Sequence, residues 1–92
     1  TSNLLFVKCN KLFSPNNDCY KGTTIKFFSK KVKIKFVNIF LKDLNSYDEI
    51  LIVGSGKGIV SVSSIENNLW KRKSLKFFYK LLKIYKFEIK KK

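Results

Sequence analysis

The first half of the chain carries hydrophobic and polar residues in patterns typical of short strands and one helix. Apolar runs at residues 4–7 and 11–13 are separated by Cys9-Asn10, which predicts a β-hairpin. The sequence Gly22-Thr23-Thr24, followed by an apolar stretch, predicts the start of a helix with threonine as its cap. Alternation of apolar residues with lysine at 32–36 then predicts a half-buried strand.

The second half of the chain continues this mixed pattern and ends in a basic amphipathic segment. A short helical turn at residues 41–47 is expected to precede a strand–turn–strand unit at 48–65. In the tail, lysines recur at intervals of three or four and form a polar stripe at helical spacing: Lys73, Lys76, Lys80, Lys83, Lys86 and Lys90. The other side of this predicted helix is apolar and carries Leu75, Phe78, Tyr79, Leu82 and Tyr85. The order of elements predicts a layered α/β fold in one small domain, and not a helical bundle.

The turn within residues 48–65 is a candidate anion-binding site. Gly54, Gly56 and Gly58 alternate with Ser55 and a lysine, and glycine lets a backbone approach a ligand closely with its N–H groups turned inward. The spacing differs from that of a P-loop, and β-branched residues after the turn exclude the helix that a dinucleotide fingerprint requires. A glycine-rich hairpin that binds no ligand is the alternative for this turn alone. The predicted helix start is a second candidate, because backbone N–H groups at a helix N-terminus attract anions.

The charge of the chain is strongly positive and unevenly distributed. The net charge is +14, from twenty basic and six acidic residues, and ten of the basic residues lie within residues 71–92. Such a tail favours nucleic acid or an acidic membrane surface as a partner. However, nineteen lysines accompany a single arginine, with many Asn, Ile and Phe, which is typical of a compositionally biased genome. We therefore favour compositional bias and expect no nucleic-acid partner.

Cysteine, histidine and hydropathy restrict the remaining classes. The two cysteines, Cys9 and Cys19, and the lack of histidine exclude the usual four-ligand zinc sites. Reduced thiols are expected, because nothing else indicates a secreted scaffold. No apolar run reaches the ~18 residues of a membrane span and no signal-peptide pattern opens the chain, so we expect a cytoplasmic protein without membrane association. The chain begins at Thr1 without any methionine, which indicates a fragment, a split-gene product or a trimmed chain.

Segments spread over nearly the whole chain resemble, in order, motifs of one known enzyme family. They are TSNLLFV at residues 1–7, NKLFSP at 10–15, KGTTIKFF at 21–28 and KDLNSYDEILIVGSGKGIVSVSSI at 42–65. They resemble segments of class IV (fold-type IV) pyridoxal-phosphate (PLP) aminotransferases. The first two resemble the strand that follows the pyridine-binding glutamate, and the next strand with its turn. The third resembles the Gly-x-Thr-Arg helix start, and the fourth resembles the C-terminal strand with its Gly-Thr/Asn-Ser turn. The resemblance implies that residues 1–92 form the C-terminal, cofactor-phosphate-binding portion of that fold. This portion would be a mixed sheet with helices packed on it, a basic C-terminal helix included.

The resemblance also implies roles for individual residues. In the family, main-chain N–H groups at the helix start hold the PLP phosphate, a role that falls here on Gly22, Thr23 and Thr24. The second turn also contacts the phosphate, which implicates Gly54 and Ser55, and the amide of Gly56 would lie near the substrate carboxylate. The substrate would be an amino acid or aminodeoxychorismate. The Gly-Ser turn and the short length favour an aminodeoxychorismate lyase of folate biosynthesis over a branched-chain or D-amino-acid aminotransferase.

The sequence departs from the family pattern where the chemistry is performed. Ile25 stands in place of the arginine after Gly-x-Thr. The lysine that holds the cofactor covalently and the glutamate that pairs with its pyridine nitrogen precede the segment equivalent to Thr1, so the isolated chain is expected to contain no catalytic residue. The resemblance thus leaves open a complementary N-terminal chain, a degraded remnant or a trimmed chain, and it implies a homodimer for the complete enzyme. A small basic nucleic-acid-binding protein, similar to a ribosomal protein, is the alternative function.

Overall fold

Strands and helices follow each other in mixed order along the chain. The computed structural model describes residues 2–16, 23–54, 58–66 and 69–90. The strands are β1 (Ser2–Lys8), β2 (Lys11–Pro15), β3 (Ile34–Val37), β4 (Glu49–Gly54), β5 (Gly58–Ser61), β6 (Ser64–Ile65) and β7 (Trp70–Lys71). The helices are α1 (Thr23–Lys31), a 3₁₀ helix (Leu41–Ser46) and α2 (Lys76–Lys90). This arrangement confirms the predicted α/β fold class.

Five of the strands form a mixed sheet in the order β3-β2-β1-β4-β5. The predicted hairpin of β1 and β2 is confirmed, and its turn residues Cys9 and Asn10 have φ angles of 53° and 60°. A two-residue hairpin turn of this kind needs positive φ at both positions. β1 also pairs antiparallel with β4, and β4 with β5. β3 runs parallel to β2, since α1 connects the two strands.

Side chains alternate between the two faces of the sheet, and each face buries its own apolar cluster. Leu5 pairs with Leu51 on one face, and Phe6 pairs with Ile50 on the other, as the two-residue period of a strand requires. The first face packs against α1 and α2, and its cluster includes Leu5, Ile25, Phe28, Leu51, Val53, Ile59 and Leu81. The second face packs against the 3₁₀ helix and the β6–β7 ribbon, and its cluster includes Phe6, Leu44, Tyr47, Ile50 and Trp70.

Trp70 fixes the β6–β7 ribbon on the second face of the sheet. The side chain is buried, and its indole N–H donates a hydrogen bond of 2.9 Å to the carbonyl of Tyr47. The Tyr47 ring in turn packs on Phe6, with ring centroids 5.3 Å apart. The ribbon is an addition to the predicted elements, because strands of two residues have no periodicity that a sequence pattern could reveal.

Glu49 fixes the start of α2 on the first face of the sheet. Its carboxylate accepts hydrogen bonds of 2.9 Å from the main-chain N–H groups of Phe77 and Phe78, and its side chain is only 1% exposed. A carboxylate at this position pairs two of the N–H groups that every helix start leaves without an intrahelical acceptor. It also complements the positive end of the helix dipole. Glu49 therefore joins the first residue of β4 to the first turn of α2.

The predicted amphipathic helix in the tail is confirmed, although its buried side differs from the predicted one. The lysines of the stripe that lie in α2 and have described side chains are exposed: Lys76, Lys80, Lys83 and Lys86. Phe77 and Leu81 are buried against the sheet, whereas Tyr79, predicted on the apolar side, is 61% exposed. Successive helix residues lie about 100° apart, so a wide apolar side in the sequence does not single out the residues that meet the sheet.

Candidate phosphate-binding site

The predicted glycine-rich turn connects β4 to β5 at one end of the sheet. Gly54, the last residue of β4, pairs with Gly58, the first residue of β5. Gly54 also lies opposite Ser2 of β1, so the turn is level with the beginning of that strand. Ser55 and Gly56, which carry two of the predicted contacts, lie outside the described residues. The described part of the hairpin thus places a paired glycine on either side of them.

The start of α1 lies toward the same end of the sheet. β2 ends at Pro15, near Leu4 of β1, and the Ser14 hydroxyl donates a hydrogen bond of 3.0 Å to the Leu4 carbonyl. β3 begins beside Leu12, toward the opposite end of β2. The helix that connects them spans about 13 Å over its nine residues, so it runs back along the sheet. Its first residue, Thr23, therefore begins on the side of the glycine turn.

The first turn of α1 supplies backbone donors suited to an anion. The first four N–H groups of a helix have no intrahelical acceptor, and they lie at the positive end of its dipole. Thr23 and Thr24 are the first two residues of α1, and its first turn contains no acidic residue. Gly22 and the side chains of both threonines lie outside the described parts of the structure. The donor chemistry fits a phosphate, and the assignment of these residues stays a prediction.

Tyr85 of α2 lies between α1 and the β4–β5 hairpin. The centroid of its ring is 6.5 Å from that of Phe27 and 6.2 Å from that of Phe28, both on α1. The ring also packs closely on Gly58, where an added Cβ would lie 2.8 Å from Cε2 of Tyr85. The two elements that carry the candidate anion-binding segments therefore contact one aromatic side chain.

Gly58 is constrained to glycine for two reasons. Its φ of +71° lies in the left-handed region, which costs other L-residues free energy because Cβ approaches the following carbonyl. The Tyr85 ring also occupies the space that a Cβ would need. The sequence identified Gly58 as part of a glycine-rich turn, whereas the ring that covers it comes from a residue 27 positions later.

An apolar row next to the turn is left partly exposed on the second face of the sheet. Leu4, Ile52 and Val60 are neighbours across three strands, and Leu4 and Val60 are 39% and 41% exposed. Beside this row lies an apolar hollow of about 400 Å³. Its lining includes Leu4, Phe6, Ile39, Leu41, Leu44 and Val62. Neither the 3₁₀ helix nor the β6–β7 ribbon covers this row fully.

Other candidate chemistry is limited among the described residues. No three side chains of the types that bind metals cluster there. No helix in the described ranges is both long and apolar enough to cross a membrane. Cys9 is an exposed free thiol at the tip of the β1–β2 hairpin, whereas Cys19 lies outside the described residues.

Comparison with protein families places the chain within a known group of sequences. The family model of class IV amino-transferases matches residues 1–65, which include β1 to β6 and α1. A search of curated proteins finds no significant match. The match includes the glycine turn and the start of α1, whereas α2 and its Tyr85 lie beyond it.

Solved structures of similar fold include aminotransferases and a proposed lyase. A proposed 4-amino-4-deoxychorismate lyase from Legionella pneumophila is 20% identical, with a TM-score of 0.76 over 90% of this chain and 33% of its own. An aminotransferase from Brucella abortus, bound to PLP, is 18% identical, with a TM-score of 0.76 over 92% of this chain and 32% of its own. The PLP form of a branched-chain amino acid aminotransferase from Thermobaculum terrenum is 18% identical, with a TM-score of 0.72 over 92% and 31%. The chain thus spans about a third of the length of these proteins.

Proposed function

This chain belongs to the class IV aminotransferase family, and from that membership we propose that it forms the PLP-phosphate-binding portion of such an enzyme. The observation that carries the proposal is the meeting of α1 and the β4–β5 hairpin at Tyr85, toward one end of the sheet. A dianionic phosphate there would be met by backbone N–H groups from two elements.

Each residue of the proposed site has one task. The main-chain N–H groups of Gly22, Thr23 and Thr24 bind the phosphate from the start of α1. Gly54 and Ser55 bind it from the hairpin, Ser55 through its hydroxyl, and the Gly56 amide faces the substrate carboxylate. When bound, PLP supplies an electron sink for reactions at the substrate amino group. The tasks of this chain are to hold the phosphate and to orient the substrate.

The lysine and glutamate that complete such a site are proposed to lie in the part of the complete enzyme that precedes the segment equivalent to Thr1. Solved structures with this fold are about three times as long as the matched region. The partly exposed row of Leu4, Ile52 and Val60 gives that part of the enzyme an apolar surface beside the turn. The DNA upstream of the Thr1 codon tests this: an open frame is expected to encode a glutamate a few codons before Thr1 and a lysine further upstream. A frame that encodes neither would contradict the proposal.

We propose an aminodeoxychorismate lyase-like reaction for the complete enzyme, with a branched-chain or D-amino-acid aminotransferase reaction as the second candidate. The Gly-Ser form of the turn supports the lyase. The substrate is then aminodeoxychorismate, bound through its carboxylate near Gly56. The complete enzyme is proposed to be a cytoplasmic homodimer that acts in folate biosynthesis.

Calorimetric titration with PLP and with pyridoxal, which lacks the phosphate, tests the proposed site. PLP is expected to bind at least about tenfold more tightly, equivalent to ~1.4 kcal/mol. Ser55→Ala is expected to reduce PLP affinity and leave that of pyridoxal unchanged, because only the phosphate contact is lost. Ser63→Ala, on the exposed segment after β5, is the matched control and should bind as the wild type does. Equal affinities of the wild-type chain for PLP and pyridoxal would contradict the proposal.

A further inference from the structure

Tyr85 lies outside the matched family region and yet contacts both elements of the proposed site. We propose that Tyr85 is a positioning residue, which holds the β4–β5 hairpin and the start of α1 at the separation that a phosphate requires. This inference rests on the proposed function. It adds a determinant of phosphate affinity in α2, a helix that supplies none of the proposed ligands.

The contact with Gly58 lets the Tyr85 ring restrict the backbone of the β4–β5 hairpin. Gly58 and Gly54 pair at the base of a turn that contains three of the four glycines of the chain. Glycine has more accessible backbone conformations than any other residue, so ordering such a turn costs more conformational entropy. A ring packed on the backbone of Gly58 removes part of that freedom before a ligand binds. The base of the hairpin, at Gly54 and Gly58, is thereby ordered before a ligand binds.

The contacts with Phe27 and Phe28 fix the position of the Tyr85 ring relative to α1. Phe28 is fully buried, and its ring is inclined by 34° to that of Tyr85. Phe27 meets the Tyr85 ring nearly edge-on, at an interplanar angle of 74°. Both phenylalanines lie within two turns of Thr23, the first residue of α1. A shift of the hairpin relative to the helix start would therefore disturb these ring contacts.

The helix that carries Tyr85 is itself anchored at two points. Glu49 caps its first turn, and Leu81, which is fully buried, lies one turn before Tyr85 on the same side of the helix. The Tyr85 ring therefore extends from an element whose position is set by the core. This is the arrangement that precise positioning of a binding site requires.

Three variants separate positioning from general stability. Tyr85→Leu removes the ring, Tyr85→Phe retains it, and Tyr79→Leu makes the same change at a position of α2 that is 61% exposed. Each variant is titrated with PLP and with pyridoxal at a temperature where circular dichroism reports it folded. Hydrogen exchange of the Phe28, Gly54 and Gly58 amides is measured by NMR without ligand. If Tyr85→Leu is not fully folded, Tyr85→Met replaces it.

The proposal predicts that Tyr85→Leu weakens PLP binding about tenfold and leaves pyridoxal affinity unchanged. It also predicts faster exchange of the three amides, and wild-type behaviour of Tyr85→Phe and Tyr79→Leu. The proposal is overturned if Tyr85→Leu keeps both the wild-type ratio of PLP affinity to pyridoxal affinity and the wild-type exchange rates. If the wild-type chain itself does not prefer PLP, the proposed function fails and the exchange rates alone decide. Faster exchange in Tyr85→Leu then supports only the ordering of the hairpin and α1 by Tyr85, with no role in phosphate binding, and unchanged rates overturn that ordering as well.

Discussion

Replacement of Glu49 by glutamine tests how β4 and α2 are held together. Glu49 is buried and accepts two hydrogen bonds of 2.9 Å from the main-chain N–H groups of Phe77 and Phe78. The glutamine variant has nearly the same shape, retains one carbonyl oxygen and loses both the charge and the second acceptor. Any loss of stability in this variant therefore reports the capping hydrogen bonds, because the packing of the side chain is nearly unchanged.

The expected loss of stability follows from the two hydrogen bonds that Glu49 accepts. A hydrogen bond to a charged group contributes about 1.5–3 kcal/mol, so Glu49→Gln is expected to lower the free energy of unfolding by about that amount. For a domain of this size, such a loss corresponds to a fall in Tm of about 6–24 °C. Glu49→Ala removes both acceptors and should cost about 3–6 kcal/mol. That is a large part of the ~5–15 kcal/mol that stabilises a typical domain.

Urea unfolding followed by circular dichroism at the helix band measures these differences. Glu66→Gln is the matched control, because Glu66 is exposed and the hydrogen bond it accepts from the Leu69 N–H is made by its main-chain carbonyl. This control should stay within ~0.5 kcal/mol of the wild type, as exposed substitutions usually do. The capping role would be refuted if Glu49→Gln were as stable as Glu66→Gln.

Three further outcomes are expected. Gly58→Ala should lower the free energy of unfolding by about 2–5 kcal/mol, because the backbone at Gly58 is left-handed and the added Cβ would clash with Tyr85. If urea unfolding shows that this free energy falls by less than ~1 kcal/mol, the close packing of Tyr85 on Gly58 is contradicted. Borohydride treatment with PLP should give no stoichiometric adduct at one lysine, since none of the lysines in this chain is expected to be the covalent anchor; mass spectrometry that finds such an adduct would overturn this. RNA should bind only in the nonspecific range of about 1–100 μM at physiological salt, and nanomolar affinity in a filter-binding assay would instead favour the nucleic-acid alternative.

Features that depend on local sequence were predictable. Cys9-Asn10 between two apolar runs predicted the β1–β2 hairpin, and the lysine spacing predicted α2. Glycine and hydroxyl residues identified the two candidate anion-binding segments, because the donor chemistry of each lies within a few consecutive residues. The predicted site residues Gly22, Ser55 and Gly56 lie outside the described parts of the structure, so their roles stay predictions.

Features that depend on distant contacts were not predictable. Glu49 appeared in the sequence only as the beginning of a strand, and its partner Phe77 lies 28 positions away. The pairing of Tyr85 with Gly58 spans 27 positions in the same way. Such contacts are set by how α2 returns over the sheet, and no spacing along the chain encodes that path.

NMR titration of the isotope-labelled chain with PLP shows directly whether the start of α1 and the β4–β5 hairpin bind one phosphate. If α1 and the β4–β5 hairpin form one phosphate site, the amide signals of Thr23, Thr24 and Gly54 should shift together and saturate with one dissociation constant. Pyridoxal should leave these signals in place. A shared phosphate site would be contradicted if the shifts instead followed the exposed lysine stripe of α2, at Lys76, Lys80, Lys83 and Lys86, while the three site amides stayed unchanged.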